Sequence, residues 1–151
     1  MTKRQVSELM TPDVLTVGPK TTVREARDRL AGRRVSGAPV VDESGGVLGI
    51  ITQNDLARFT ARRVSVEQSG RFFTDEDDFR DLGSLVSNLD DTPVERIMSS
   101  PVFSVSREAG LAIAANIMRE RRVHRLIVTE RGRLVGVISS LDLMRVIEEL
   151  C

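Results

Sequence analysis

Gly49-Ile50-Ile51-Thr52-Gln53-Asn54-Asp55 returns near the end of the chain as Gly136-Val137-Ile138-Ser139-Ser140-Leu141-Asp142. In both places β-branched residues run into a hydroxyl, and an aspartate follows three positions later. That is the pattern of a strand passing directly into a capped helix. Working outward, the duplication covers most of the chain. Val6-Ser7-Glu8-Leu9-Met10 is echoed by Val94-Glu95-Arg96-Ile97-Met98, 88 residues on. Thr16-Val17 is echoed by Ser104-Val105, and Arg34-Val35-Ser36 by Arg122-Val123-His124. The offset is 88 up to Val41 and Thr129, and 87 from Gly45 and Gly132, so one residue is lost in a turn, where deletions are tolerated.

Each copy reads as strand, helix, strand, strand, helix. Short strands are expected at Val14–Val17 and Val102–Val105. Helices are expected from about Thr22 to Ala31, with Gly32 as C-cap, and from Ala109 to Glu120. Strands over Val35–Val41 and Val123–Thr129 lead through glycine-bearing turns to strands over Val47–Ile51 and Leu134–Ile138. The last helices begin near Gln53 and Ser140 behind caps at Thr52 and Ser139. The fold class is α+β, two β-α-β-β-α repeats. Neither copy alone buries a sheet well, so the two are expected to pack together. The divisions are 1–63, 64–92 and 93–151, the middle one a linker without a counterpart. There Thr74 can cap a helix whose first turn is acidic, with Phe79, Leu82, Leu85, Val86 and Leu89 on one face. That face suits packing on the module or a dimer mate, or docking a separate partner.

Composition narrows the function. Lys+Arg and Asp+Glu are both 22, so no net basic field points to nucleic acid. No apolar run reaches the ~20 residues that span a bilayer, and no signal peptide is evident at the N-terminus, so a cytoplasmic protein is expected. The single histidine and the single cysteine, Cys151, make no Cys-His or Ser-His-Asp set and no zinc-ligand spacing. Asp75–Asp81 lacks the pattern of a calcium loop. No enzyme, metal site or resident cofactor is expected.

These repeats closely resemble cystathionine-β-synthase (CBS) domains, carried by Leu9-Met10-Thr11, by the run from Arg34 to Asp42, by Gly49 to Asp55, and by their second copies. Nucleotide-binding modules of this kind occur in the AMP-activated protein kinase γ subunit and in inosine monophosphate dehydrogenase. The resemblance implies a pseudo-twofold pair with two clefts, an adenosyl ligand (AMP, ADP, ATP or S-adenosylmethionine), further association into a homodimeric disc, and a regulatory output on an unidentified protein target. It implies one cleft with Thr16, Val17, Val35, Ser36, His124, Ser139 and Asp142. The other has Thr52, Asp55, Ser104, Val105, Val123 and Arg125. An aspartate in the first helical turn can accept both hydrogen bonds of a ribose diol, and the neighbouring hydroxyl can add one. The same spacing also describes an ordinary helix cap.

His124 and Arg125 resemble a phosphate-binding pair. Alternation along a strand assigns His124 to the Asp142 cleft and Arg125 to the Asp55 cleft. A structural role for a lone histidine is the other reading. The first repeat carries Ser36-Gly37 in their place, so the clefts are unequal unless Arg33 and Arg34 compensate. The apolar cleft residues also fit simple core roles. The alternative to a ligand-binding module is a ligand-free oligomerisation or protein-interaction module.

Overall fold

The computed structural model describes residues 3–69, 91–100 and 102–151. The helix expected between Thr74 and Leu89 lies outside them. The elements in order are α1 (Val6–Leu9), α2 (Val23–Arg33), β1 (Gly37–Val41), β2 (Val47–Thr52), α3 (Gln53–Ser69), a 3-10 turn (Val94–Arg96), β3 (Ser104–Ser106), α4 (Leu111–Arg121), β4 (Arg125–Glu130), β5 (Arg133–Ser139) and α5 (Ser140–Leu150). The fold is mixed α+β. β1 and β2 form a two-stranded sheet, and β3, β4 and β5 a three-stranded one in that order, with β3–β4 parallel and β4–β5 antiparallel.

Two compact units result. One contains residues 1–14, 41–48 and 101–151, the other 15–40 and 49–100. The leading segment of each sequence repeat therefore belongs to the unit built on the other repeat. In the first unit the Val6 and Ser7 amides donate to Ala109 and Arg107 carbonyls at 2.9 Å, and Val6 is fully buried with Val105, Met118, Leu126, Val128 and Ile138. In the second unit Val94 donates to the Thr21 carbonyl at 2.8 Å and is buried with Val17, Val23, Leu30, Val40, Ile51 and Leu56. Both cores are built from β-branched strand residues and one helical stripe. Val23, Ala26 and Leu30 supply that stripe in α2.

The same exchange continues as backbone pairing. Thr11 and Val137 trade hydrogen bonds at 2.8 and 3.0 Å, and Ser99 and Ile50 do so at 2.9 and 3.0 Å. Glycine at the preceding strand position makes the approach possible. A Cβ on Gly136 would stand 2.7 Å from the Thr11 carbonyl oxygen, and one on Gly49 would stand 2.9 Å from that of Ser99.

Several sequence expectations are corrected. Gly32 lies inside α2, and the left-handed C-cap is Arg34 at φ 53°; Arg122 caps α4 at φ 54°. The Val35 and Val123 amides then close back on Leu30 and Met118 at 3.1 and 3.0 Å, the six-to-one bond of a Schellman motif. Those residues finish the helix, so the strands start later, at Gly37 and Arg125. Helix α4 starts at Leu111 behind a Gly110 cap, two residues past the expected Ala109.

The strand expected over Val14–Val17 shrinks to one bridge, Val17 to Val40. Pro39 explains this, since it has no N–H to give the preceding rung. Its counterpart Ile127 donates to Phe103 at 3.1 Å, and β3 forms there. The turns differ as the offset requires. Arg131 and Gly132, at φ 52° and 77°, make a two-residue hairpin turn. The longer first turn is held by Asp42, which accepts from the Ser44 hydroxyl at 2.6 Å and the Gly46 amide at 2.9 Å. Those bonds hold its carboxyl below the usual carboxylate range.

Gly136→Ala is expected to lose about 1–3 kcal/mol in urea unfolding, because a backbone oxygen cannot yield to the new methyl as a flexible side chain would. A loss under a few tenths would show that the Thr11–Val137 pairing is not a constraint.

Candidate functional site

The two hydroxyl–aspartate pairs form one arrangement twice. Ser139 ends β5, its amide donates to Asp142 Oδ2 at 2.8 Å, and the Asp142 amide returns a bond to Ser139 Oγ at 3.2 Å. Thr52 ends β2, its amide donates to Asp55 Oδ2 at 3.0 Å, and the Asp55 amide returns to Thr52 Oγ1 at 3.1 Å. Each is a reciprocal capping box. The helix-cap reading is therefore realised in both repeats. It does not exhaust the carboxylates, because an ionised carboxylate has about four lone-pair sites.

Oδ1 of Asp142 accepts no hydrogen bond among the described residues, while Ser139 Oγ adds a 3.0 Å contact to Oδ2. Among the described residues, Oδ1 of Asp55 receives only a long 3.4 Å bond from Ser99 Oγ. Both aspartates are half-buried. The box fixes each carboxylate through Oδ2 and leaves Oδ1 outside the cap.

Within each unit, the residue at the turn into β1 or β4 sits at the same helix mouth. The Ser140 amide donates to the His124 carbonyl at 2.8 Å, and the Gln53 amide to the Ser36 carbonyl at 2.9 Å. So His124 adjoins Ser139 and Asp142, and Ser36 adjoins Thr52 and Asp55. Both His124 and Ser36 are exposed. Strand β4 begins at Arg125, so alternation describes Arg125 and not His124. Arg125 is exposed and opposes Ser139 in the ladder, with both side chains on one face.

The remaining residues singled out in the sequence are distributed by burial. Val17 and Val105 are core, 2% and 5% exposed, and Val35 and Val123 are half-buried against the two cores. Thr16 is half-buried, and Ser104 is exposed. Thr16, Val17, Val35, Ser36, Thr52 and Asp55 thus belong to one unit. Ser104, Val105, Val123, His124, Arg125, Ser139 and Asp142 belong to the other.

One feature escaped the sequence reading. Beside Asp55 lies an open cavity of about 260 Å³ lined by Asp55, Arg58, Phe59, Arg62, Arg96 and Ile97. Its sequence signal was present: two of these arginines align with glutamates in the other repeat, Arg62 with Glu149 and Arg96 with Glu8. Among the described residues no cluster of side chains could hold a metal ion, and no helix is long and apolar enough to cross a membrane.

Comparison with known proteins agrees with the duplication. The family model for the CBS domain matches residues 6–62 and 94–149. The chain is 31% identical over 147 residues to the chloroplastic CBS domain-containing protein CBSX1 of Arabidopsis thaliana, covering 93% of this chain and 62% of that one. It is 27% identical over 146 residues to inosine-5'-monophosphate dehydrogenase of Mycobacterium bovis, covering 96% of this chain and 22% of the enzyme. The crystal structure of CBSX2 in complex with AMP superposes with a TM-score of 0.70 at 25% identity, covering 97% of each chain. The chain spans 33% to 62% of the length of the first curated relatives it matches.

The cap and any ligand role of Asp142 are separable. Asp142→Ala is expected to cost about 1 kcal/mol of stability by orphaning the Ser139 amide. Asp142→Glu retains a Ser-x-x-Glu box and is expected to stay within about 0.5 kcal/mol of the parent. Thermal melts of the two variants check this, and an Asp142→Ala variant as stable as the parent would show that the box contributes nothing.

Proposed function

The chain belongs to the CBS-domain family, and on that premise we propose that it is a non-catalytic regulatory module that binds an adenosyl ligand through the ribose grips at Thr52/Asp55 and Ser139/Asp142. The observation that carries this reading is the carboxylate oxygen that each capping box leaves out, in both repeats. AMP in the CBSX2 structure supports the ligand class. In this proposal Thr16, Val17, Val35, Ser36 and His124 share the ligand held by Ser139 and Asp142. Ser104, Val105, Val123 and Arg125 share the one held by Thr52 and Asp55. AMP, ADP, ATP and S-adenosylmethionine are the candidate ligands.

Binding acts as a signal only if the ligand prefers one arrangement of the protein over another, and the output then passes to a partner protein. The second reading is a ligand-free interaction module. The completeness of both capping boxes favours it, since a cap alone accounts for the hydroxyl–aspartate spacing.

We also propose that a second copy covers the apolar side of α4 and α5. Ile113, Leu141, Met144, Ile147 and Leu150 are 52–79% exposed there, an unusual concentration for a surface that faces water.

Thermal shift and calorimetry decide between the readings. A ligand present at 100 times its dissociation constant is expected to add about 2.7 kcal/mol of stability. Asp142→Ala or Asp55→Ala is expected to weaken one site roughly tenfold to a hundredfold, the worth of a hydrogen bond to a charged group. Binding unchanged in both variants, or no shift with any of the four ligands, would favour the interaction module. For the dimer, Leu141→Glu is expected to convert a two-chain species into a one-chain species in light scattering. An unchanged mass would place the contact elsewhere.

A further inference from the structure

The groove beside Asp55 has a charge balance that its repeat does not share. Arg58 and Arg62 lie one turn apart on α3, a like-charge spacing that destabilises a helix. Arg96, on the 3-10 turn, brings a third guanidinium to the same cavity, with Phe59 and Ile97 as its apolar wall. All three arginines are exposed, and none forms an ion pair among the described residues. Among the described residues three arginines and one carboxylate line the cavity, a positive surplus that an anion would relieve.

The duplication supplies an internal control. The residues aligned with Arg58, Arg62 and Arg96 are Arg145, Glu149 and Glu8. Two of the three positions are reversed in charge, and both glutamates are committed. Glu149 pairs with Arg4, whose own counterpart is the uncharged Thr92, and Glu8 closes the capping box of α1. At these three aligned positions the positive surplus belongs to the Asp55 side.

Its size suits a group and not a whole ligand. At about 260 Å³ it falls below the ~300–1,000 Å³ of pockets that bury complete small molecules. Guanidinium groups present planar forks that match phosphate oxygens. We propose that Arg58, Arg62 and Arg96 form an oxyanion subsite for a phosphate chain, making the Asp55 site selective for polyphosphorylated ligands and leaving the Asp142 site without that preference. Anion binding stands on the groove alone, and its union with a nucleoside rests on Asp55 acting as a ribose grip.

Inorganic tripolyphosphate and adenosine probe the two parts separately on the full chain. Tripolyphosphate is expected to raise the melting temperature of the parent protein and to bind less tightly as salt is added. The double variant Arg62→Glu/Arg96→Glu, which copies the opposite repeat, is expected to lose at least tenfold in tripolyphosphate affinity. The single variants Arg62→Gln and Arg96→Gln each lose several-fold, while Arg145→Gln is expected to bind like the parent. Adenosine affinity is expected to stay within twofold in every one of these variants. The subsite is overturned if the parent does not bind tripolyphosphate, if the double variant binds it within twofold of the parent, or if the loss follows Arg33→Gln/Arg34→Gln instead. Should the parent fail to bind adenosine, the ribose grip falls, and the tripolyphosphate comparison still decides the groove.

Discussion

Two short backbone exchanges carry the architecture, Thr11 with Val137 and Ser99 with Ile50. Each brings the leading segment of one sequence repeat onto the second long strand of the other, and each needs a strand residue without a side chain. Gly136 and Gly49 meet that need. Once the segments are seated, Val6 and Val94 enter cores to which they are not adjacent in sequence. The unit of packing is thus assembled from pieces of both repeats. Neither repeat contains its complete core.

That arrangement positions the chemistry. Strands β2 and β5 run directly into α3 and α5 with no intervening loop, so the hydroxyl at the strand end and the aspartate one turn later are held by backbone amides. The same residues satisfy helix N-termini and aim a carboxylate. A cap accounts for the Thr52/Asp55 and Ser139/Asp142 spacing and leaves one oxygen of each carboxylate to spare. The cap is the means by which the carboxylate is oriented in advance, which lowers the ordering cost of any binding event.

Duplication also exposes where the halves have diverged. Pro39 in place of Ile127 removes one donor and with it a strand. A residue lost from the second hairpin produces a two-residue turn where the first needs Asp42 to satisfy its amides. Glutamates in place of Arg62 and Arg96 reverse the charge beside the aspartate. Each difference is one residue or two, and each acts through a specific donor, acceptor or charge. Two halves built on such a frame become chemically unequal without any change in fold.

From the sequence came the repeat, its offset, the order of strands and helices in each copy, and the hydroxyl–aspartate pairs, because hydrophobic period and capping chemistry are local and leave local traces. Helix ends were less legible. An arginine can occupy the left-handed cap for which Gly32, two residues earlier, was the candidate, and only the closing hydrogen bond from Val35 reveals it. Which segment fills which core was not legible at all. Val6 and Val94 head the same pattern of a valine, an aliphatic residue three positions on and then a methionine, and long-range packing alone distinguishes their partners. Tertiary structure likewise brought Arg96 beside Arg58 and Arg62, since residues 38 and 34 positions apart share a groove only after the chain has folded back on itself.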